Sequence, residues 1–454
     1  MLWTKLRCQT LRPPFTWSHK TLFQPARQFS QTSFRPFLRQ SRCLRQEIST
    51  NASLKENVSP PAHDGPSFYE KISKPGIWRQ VTFVSVTSFL AFSLAATQTT
   101  LETEYWTERM VAVSSVWTLK TITNTDLKRA QTAELIQGLR ESLANIQSVV
   151  QQLPVLIRPW VNLACLSVMQ PYADATEGKR LCWKICLLNA GVWLAWKLKP
   201  WKGFMTVRFM HYPLSGLSYT LLTSMFSHRS AIHLLCNCLA LESFGKDSSE
   251  YFGSESSLMS LPGSAAYHYL LREQNKAQPD VLESTTSYHF LAFFISAGLF
   301  SGLVSHIVNA KFRYPRLVSQ LASSANSARR TETWAGAVAA TTASAAQSTS
   351  KKRVLDILPS LGASGAIYAA VTMTALAFPD SEVALFIPPS YPINIQYGVG
   401  ALMALDMIGI LRGWRLFDHW AHLGGAAFGI FYYNYGPSYW AYLRKATAKV
   451  DKST

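Results

Sequence analysis

Seven apolar windows, each close to the length that crosses a hydrocarbon core, constrain this 454-residue chain more than any other feature. They run at about 81–97, 181–199, 231–245, 290–308, 359–378, 393–411 and 416–433. A spanning segment must satisfy its own backbone hydrogen bonds, so windows of this kind predict helices. Several are short or interrupted, and the window at 231–245 carries His233, Asn237 and Glu242. Polar groups inside a span cost free energy and commonly mark a site. Composition agrees with a bilayer as part of the solvent. Charged residues are 15% of the chain, against roughly 25% in an ordinary soluble protein. The expected fold is an all-α polytopic membrane protein, with one helix set apart from six later ones by a polar and amphipathic region, 98–180.

The net charge of +18 is concentrated in the first 50 residues and around 311–353, outside the apolar windows. No nucleic-acid motif accompanies it, so nucleic acid is not an expected partner. Residues 1–46 hold seven arginines, two lysines and no acid before Glu47, with serines interleaved. That composition reads as a mitochondrial transit peptide, placed at 1–50, followed by a polar linker over 51–80. The seven cysteines form no Cys-x-x-Cys pair and no Cys/His cluster, so neither structural disulfides nor a metal are expected. Residues 316–353, rich in Ser, Ala and Thr, read as a low-complexity connection, and 437–454 as a C-terminal tail. The basic connections 198–230, 309–353 and 412–415 alternate with the acid-leaning 246–286 and 379–392, as the positive-inside rule requires. The basic set would face the matrix, although the basic tail at 444–454 falls on the opposite side.

Three short patterns carry chemistry. Leu361-Gly362-Ala363-Ser364-Gly365 opens the 359–378 window just after Pro359, which suits a helix start. Ser364 would lie in the first helical turns, beside backbone N–H groups able to stabilise an oxyanion. Alone, this pattern is more often helix-packing sequence. A serine needs a base, and residues 418–429 offer His422 with Gly425 and Gly429 at i, i+3 and i+7 on one helical face. That face could pack on Gly362 and Gly365. His419, one turn earlier, is the rival base and reads as interfacial. The pair His233 and Asn237, at i and i+4, could donate to an oxyanion or clasp two helices. Tyr368, one turn after Ser364, could lie under the imidazole. Asp406 could mimic a triad acid but reads more simply as structural.

Together these patterns resemble the rhomboid intramembrane proteases. That family combines Gly-x-Ser-Gly, a histidine with a Gly-x-x-x-Gly face, and His-x-x-x-Asn on separate spans, in the order found here. The resemblance covers about 181–436 and is strongest to the mitochondrial presenilin-associated rhomboid-like branch, which also has one span before a six-helix core. Residues 413–419 running into 421–425 contribute to it, while the 316–353 insertion departs from it. The resemblance implies a serine endopeptidase with Ser364 as nucleophile and His422 as base. His233 and Asn237 would stabilise the transition state, and Gly362, Gly365, Tyr368, Gly425 and Gly429 would support the site, with no cofactor. It implies a multi-pass protein of the mitochondrial inner membrane whose partners are the lipid bilayer and single-span substrates, such as a dynamin-like GTPase or sorted intermembrane-space proteins. The rival readings are a catalytically silent rhomboid-like client binder and a transporter. A transporter would show repeated halves or a charged pathway, and neither is visible.

Overall fold

In the computed structural model the chain forms two units, Met1–Asp64 and Gly65–Thr454. The structure describes residues 75–113, 122–241, 262–277, 281–331, 357–383, 391–415 and 417–451. The expected transit peptide (1–50) and the linker as far as residue 74 lie outside the described residues. Everything below concerns the second unit.

Seven helices overlap the seven apolar windows, of which residues 242–245 and 416 lie outside the described residues. They are α1 (Trp78–Val113), α4 (Glu177–Lys197), α7 (Ala231–Leu241), α9 (Ser287–Val308), α11 (Ser364–Ala377), α12 (Ile395–Arg412) and α13 (His419–Asp451). The fold is an all-α polytopic membrane architecture, one helix followed by six. Between these lie α2 (Asn124–Val150), α3 (Arg158–Asp174), α5 (Lys202–Arg208), α6 (Thr220–Met225), α8 (Pro262–Ala277) and α10 (Tyr314–Thr331). A two-residue antiparallel pairing of β1 (Glu382–Val383) with β2 (Ile393–Asn394) sets the entry to α12. The first part of the 316–353 stretch is helical as far as Thr331, and 332–356 lies outside the described residues.

Helix α9 is apolar on every face and forms the centre of the bundle, with Phe290, Phe293, Phe294 and Ala297 fully buried. It runs antiparallel to α1, α11 and α13. Its C-terminal end meets the starts of these helices: His306 Nε2 lies 3.2 Å from the Gly76 carbonyl, and Ser301 Oγ donates to the Ala421 carbonyl at 2.7 Å. Helix α8 lies where the sequence reads as an acidic loop, yet Ala265, Ala266, Tyr267, Tyr269 and Leu270 are all buried.

At the opposite end of α9 a polar clasp ties the bundle together. Ser284 N donates to Thr103 Oγ1 at 3.1 Å, Ser287 Oγ donates to Glu177 Oε1 at 2.6 Å, and Arg444 bonds Thr100 and faces Glu283 at 3.7 Å. Burial pushes the Glu283 carboxyl up to about 8 from its usual range near 4.5, outweighing the attraction of Arg444. The folded protein therefore binds more protons than the unfolded chain between these two values. Stability conferred by this site is complete below about pH 4.5 and is lost as pH rises through about 8. Thermal unfolding in detergent is expected to show a midpoint that declines across this window, and a smaller decline in Glu283→Gln. An equal decline in that variant would assign the effect to another group.

Candidate active site

Helix α11 has 14 residues and is about 21 Å long, too short for a core of roughly 30 Å. A start partway into the bilayer would accommodate this length, and the stretch that leads to it, 357–363, is irregular. Irregular backbone at that depth must be satisfied within the protein. It is: Ser360 pairs through both backbone groups with His211, and Gly362 N donates to the Ser224 carbonyl at 2.9 Å. Gly362 takes φ +123°, where a side chain would be strained, and a Cβ there would also meet the His233 ring at 2.8 Å. This turn delivers Ser364 as the first residue of α11, at a helix N-terminus that no side chain caps. The first-turn N–H groups and the positive helix end lie beside the Ser364 hydroxyl.

The partner imidazole arrives from α13. Gly413, in the left-handed conformation at φ +68°, ends α12 and turns the chain back. Asp418 then anchors the next helix by accepting from Ala421 N at 3.2 Å and from Ser305 Oγ at 2.6 Å. Helix α13 packs on α11 at backbone contact distance, since a Cβ added at Gly425 would strike the Gly365 carbonyl and one at Gly429 the Ala369 carbonyl. Gly365 in turn leaves room for Ser301 of α9. The result places His422 Nε2 at 3.0 Å from Ser364 Oγ, with the imidazole side chain 13% exposed.

Tyr368 stacks on His422, with ring centroids 4.9 Å apart and planes 13° from parallel. Its hydroxyl donates to Asp406 Oδ2 at 2.7 Å. Both oxygens of Asp406 also stand 3.2 Å from His422 Nδ1, so the acid that the sequence reading left aside faces the far side of the base. His419 also meets this carboxylate. It is 4% exposed, its Nδ1 lies 2.5 Å from Asp406 Oδ1, and Gly409 makes room for its ring. Asp406 is thus held by Tyr368, His419 and His422 together. It is buried on α12, sixteen positions before His422, and no local spacing in the sequence links the two.

His233 reaches the site, with its ring over Gly362 two residues before Ser364. Asn237 does not reach it directly: its Nδ2 donates to the His233 carbonyl at 2.8 Å, one turn along the same helix. Gly362 belongs to this His233 contact rather than to the α11–α13 glycine face. His228, absent from the sequence reading, is fully buried with its ring 5.0 Å from that of His233, and its Nε2 accepts from Ala363 N at 3.5 Å. A second histidine five residues before His233 was the available signal.

A serine hydroxyl bonded to an imidazole, whose other nitrogen meets a carboxylate, lies here at a sunken helix start within an all-α membrane bundle. Residues 215–271 and 279–437 match the family model described as the rhomboid domain. It is 27% identical over 266 residues to presenilin-associated rhomboid-like protein A, mitochondrial, of Danio rerio, covering 58% of this chain and 50% of that protein. The Homo sapiens presenilin-associated rhomboid-like protein, mitochondrial, is 27% identical over 265 residues with the same shares. Rhomboid protein 1, mitochondrial, of Saccharomyces cerevisiae is 23% identical over 258 residues, or 57% of this chain and 53% of that protein. The chain spans about half the length of the curated relatives it matches. No solved structure matches it. The protein is a multi-pass membrane protein of the mitochondrion, with α1 preceding the region that matches the rhomboid domain.

Proposed function

We propose that the chain is a serine endopeptidase of the mitochondrial inner membrane that hydrolyses peptide bonds in or beside the transmembrane segments of single-span proteins. The observation that carries this reading is the 3.0 Å approach of His422 Nε2 to Ser364 Oγ. An imidazole at that distance can accept the hydroxyl proton as Oγ attacks the scissile carbonyl. The oxyanion then forms beside the free N–H groups at the start of α11 and within reach of His233. Collapse breaks the C–N bond, the amine leaves with the proton from His422, and the acyl group remains on Ser364. Water, activated by the same imidazole, attacks that ester and frees the enzyme. Asp406 holds His422 through Nδ1 so that Nε2 is the nitrogen that accepts. Asn237 supports this arrangement by fixing the turn of α7 that carries His233.

A helical substrate segment has its carbonyls bonded within the helix, so it must unwind locally before attack. Small or helix-breaking residues near the cut are the expected preference. The alternation of loop charge supports a site on the matrix-proximal side. Dynamin-like GTPases and sorted intermembrane-space proteins have the required single span. A covalent serine-hydrolase probe is expected to label the purified protein and not Ser364→Ala, with labelling of His422→Ala slower by about 10²-fold or more. Probe retained on Ser364→Ala would locate the reactive group elsewhere and remove the assignment.

A further inference from the structure

The 98–180 region is not uniformly polar. From residue 142 to 173 the only charged side chain is Arg158, and its Nε donates to the Leu153 carbonyl at 2.8 Å. This stretch forms the outer part of the α2–α3 hairpin. Helix α3 packs against α2 yet has no buried residue. Leu156 is 83% exposed, Trp160 71%, Leu163 60% and Val168 70%. So large a contiguous apolar surface is not left in water by a soluble domain.

Two features say what covers it. First, α3 is tethered by only Ala175 and Thr176 to α4, an apolar helix that itself exposes Leu187, Leu188 and Leu194. Second, the hairpin does not stand straight off the bundle. In one continuous helix, Tyr172 and Trp183 would be about 16 Å apart along the axis. Their rings instead lie 6.2 Å apart, because Ala175 and Thr176 are both extended and bend the chain sharply. Lys179 sits over the Trp183 ring and Arg180 over the Tyr172 ring, which is the mixture of aromatic and basic side chains that settles at a lipid headgroup boundary.

We propose that the α2–α3 hairpin is a monotopic membrane anchor, with the apolar surface running from Leu156 in the turn to Val168 of α3 seated in the bilayer leaflet at the end of the bundle opposite Ser364. The occupant of the exposed face is lipid. The inner half of α2 transmits this seating to the first span, through Gln131 to Glu102 at 3.3 Å and Glu134 to Arg109 at 2.6 Å. The hairpin thereby sets the depth at which α1 meets the core.

The test uses the intact protein in liposomes that contain no other protein. A nitroxide is attached through an encoded keto amino acid at Leu156, at Leu163 or, as control, at exposed Gln137 of α2, so the native cysteines are untouched. All three side chains lie on the surface, so the label displaces no packing. At Leu156 and Leu163 the ratio of collision with oxygen to collision with a water-soluble nickel chelate is expected to exceed that at Gln137 several-fold. Equal nickel access at all three positions would place the hairpin in water and overturn the proposal. Protection of Leu156 and Leu163 from both reagents would overturn it in favour of a second copy of the chain covering this face.

Discussion

Ser364→Ala is expected to lower cleavage of a single-span membrane substrate by about 10⁴-fold or more while leaving its binding intact. In the proposed mechanism this hydroxyl forms the acyl bond, so its loss removes the nucleophile. Its removal deletes the 3.0 Å bond to His422 but no packing, because a methyl group still fills the start of α11 between Gly362 and Gly365. The thermal midpoint should therefore move little, which separates lost chemistry from lost fold. The measurement compares initial rates in liposomes with co-purification of the uncut substrate. His422→Ala should match the rate loss, since residues that act as one unit are not additive in their effects. Unchanged client processing in both variants would sink the protease reading. It would leave a protein with a rhomboid-like domain that engages membrane clients without cutting them.

The parts of this molecule that the sequence exposes are those governed by local rules. Hydropathy over about 20 residues located the longer apolar helices, because the bilayer tests each segment by itself, while the window at 231–245 is weak by hydropathy and stands out by its polar residues. The serine and histidine patterns were legible for a related reason. Their glycines are written beside them, and Gly425 and Gly429 repeat at the spacing that lets α13 touch the backbone of α11. Features set by tertiary approach were not legible. Helix α8 carries Arg272, Glu273 and Lys276, so its stretch reads as loop. It is nevertheless buried through Tyr267, Tyr269 and Leu270, while Arg272 lies over the Phe378 ring at 4.8 Å. Nor does any spacing join Asp406 to His422. Their meeting depends on the left-handed turn at Gly413 and on the way α13 folds back beside α12. The apolar content of α3 was diluted by the polar residues of α2 when the region was read as a whole.

The second large effect is expected at Asp406. In Asp406→Asn the side chain keeps its shape but presents an amide where a carboxylate faced His422 Nδ1 at 3.2 Å from each oxygen. A carboxylate accepts from Nδ1–H and leaves Nε2 bare to take the serine proton. An amide nitrogen turned toward the ring would donate to Nδ1, place the proton on Nε2 and disable the base. A fall in kcat of about 10² to 10⁴-fold with little change in KM is expected, in line with the loss seen when the acid of a serine-protease triad is made an amide. Tyr368→Phe provides the internal comparison. It removes the 2.7 Å bond to Asp406 but retains the ring stacked on His422, and should cost far less. Because His419 Nδ1 also binds Asp406 at 2.5 Å, a purely structural role must be distinguished from a positioning one. His419→Phe removes that contact and leaves the His422 contact in place. If Asp406 acts through His422, His419→Phe retains most of the rate while Asp406→Asn loses it, and the pH profile of kcat changes only in the latter. If Asp406→Asn keeps a kcat near that of the parent, the carboxylate only joins α12 to α13, and serine and histidine work as a pair without it.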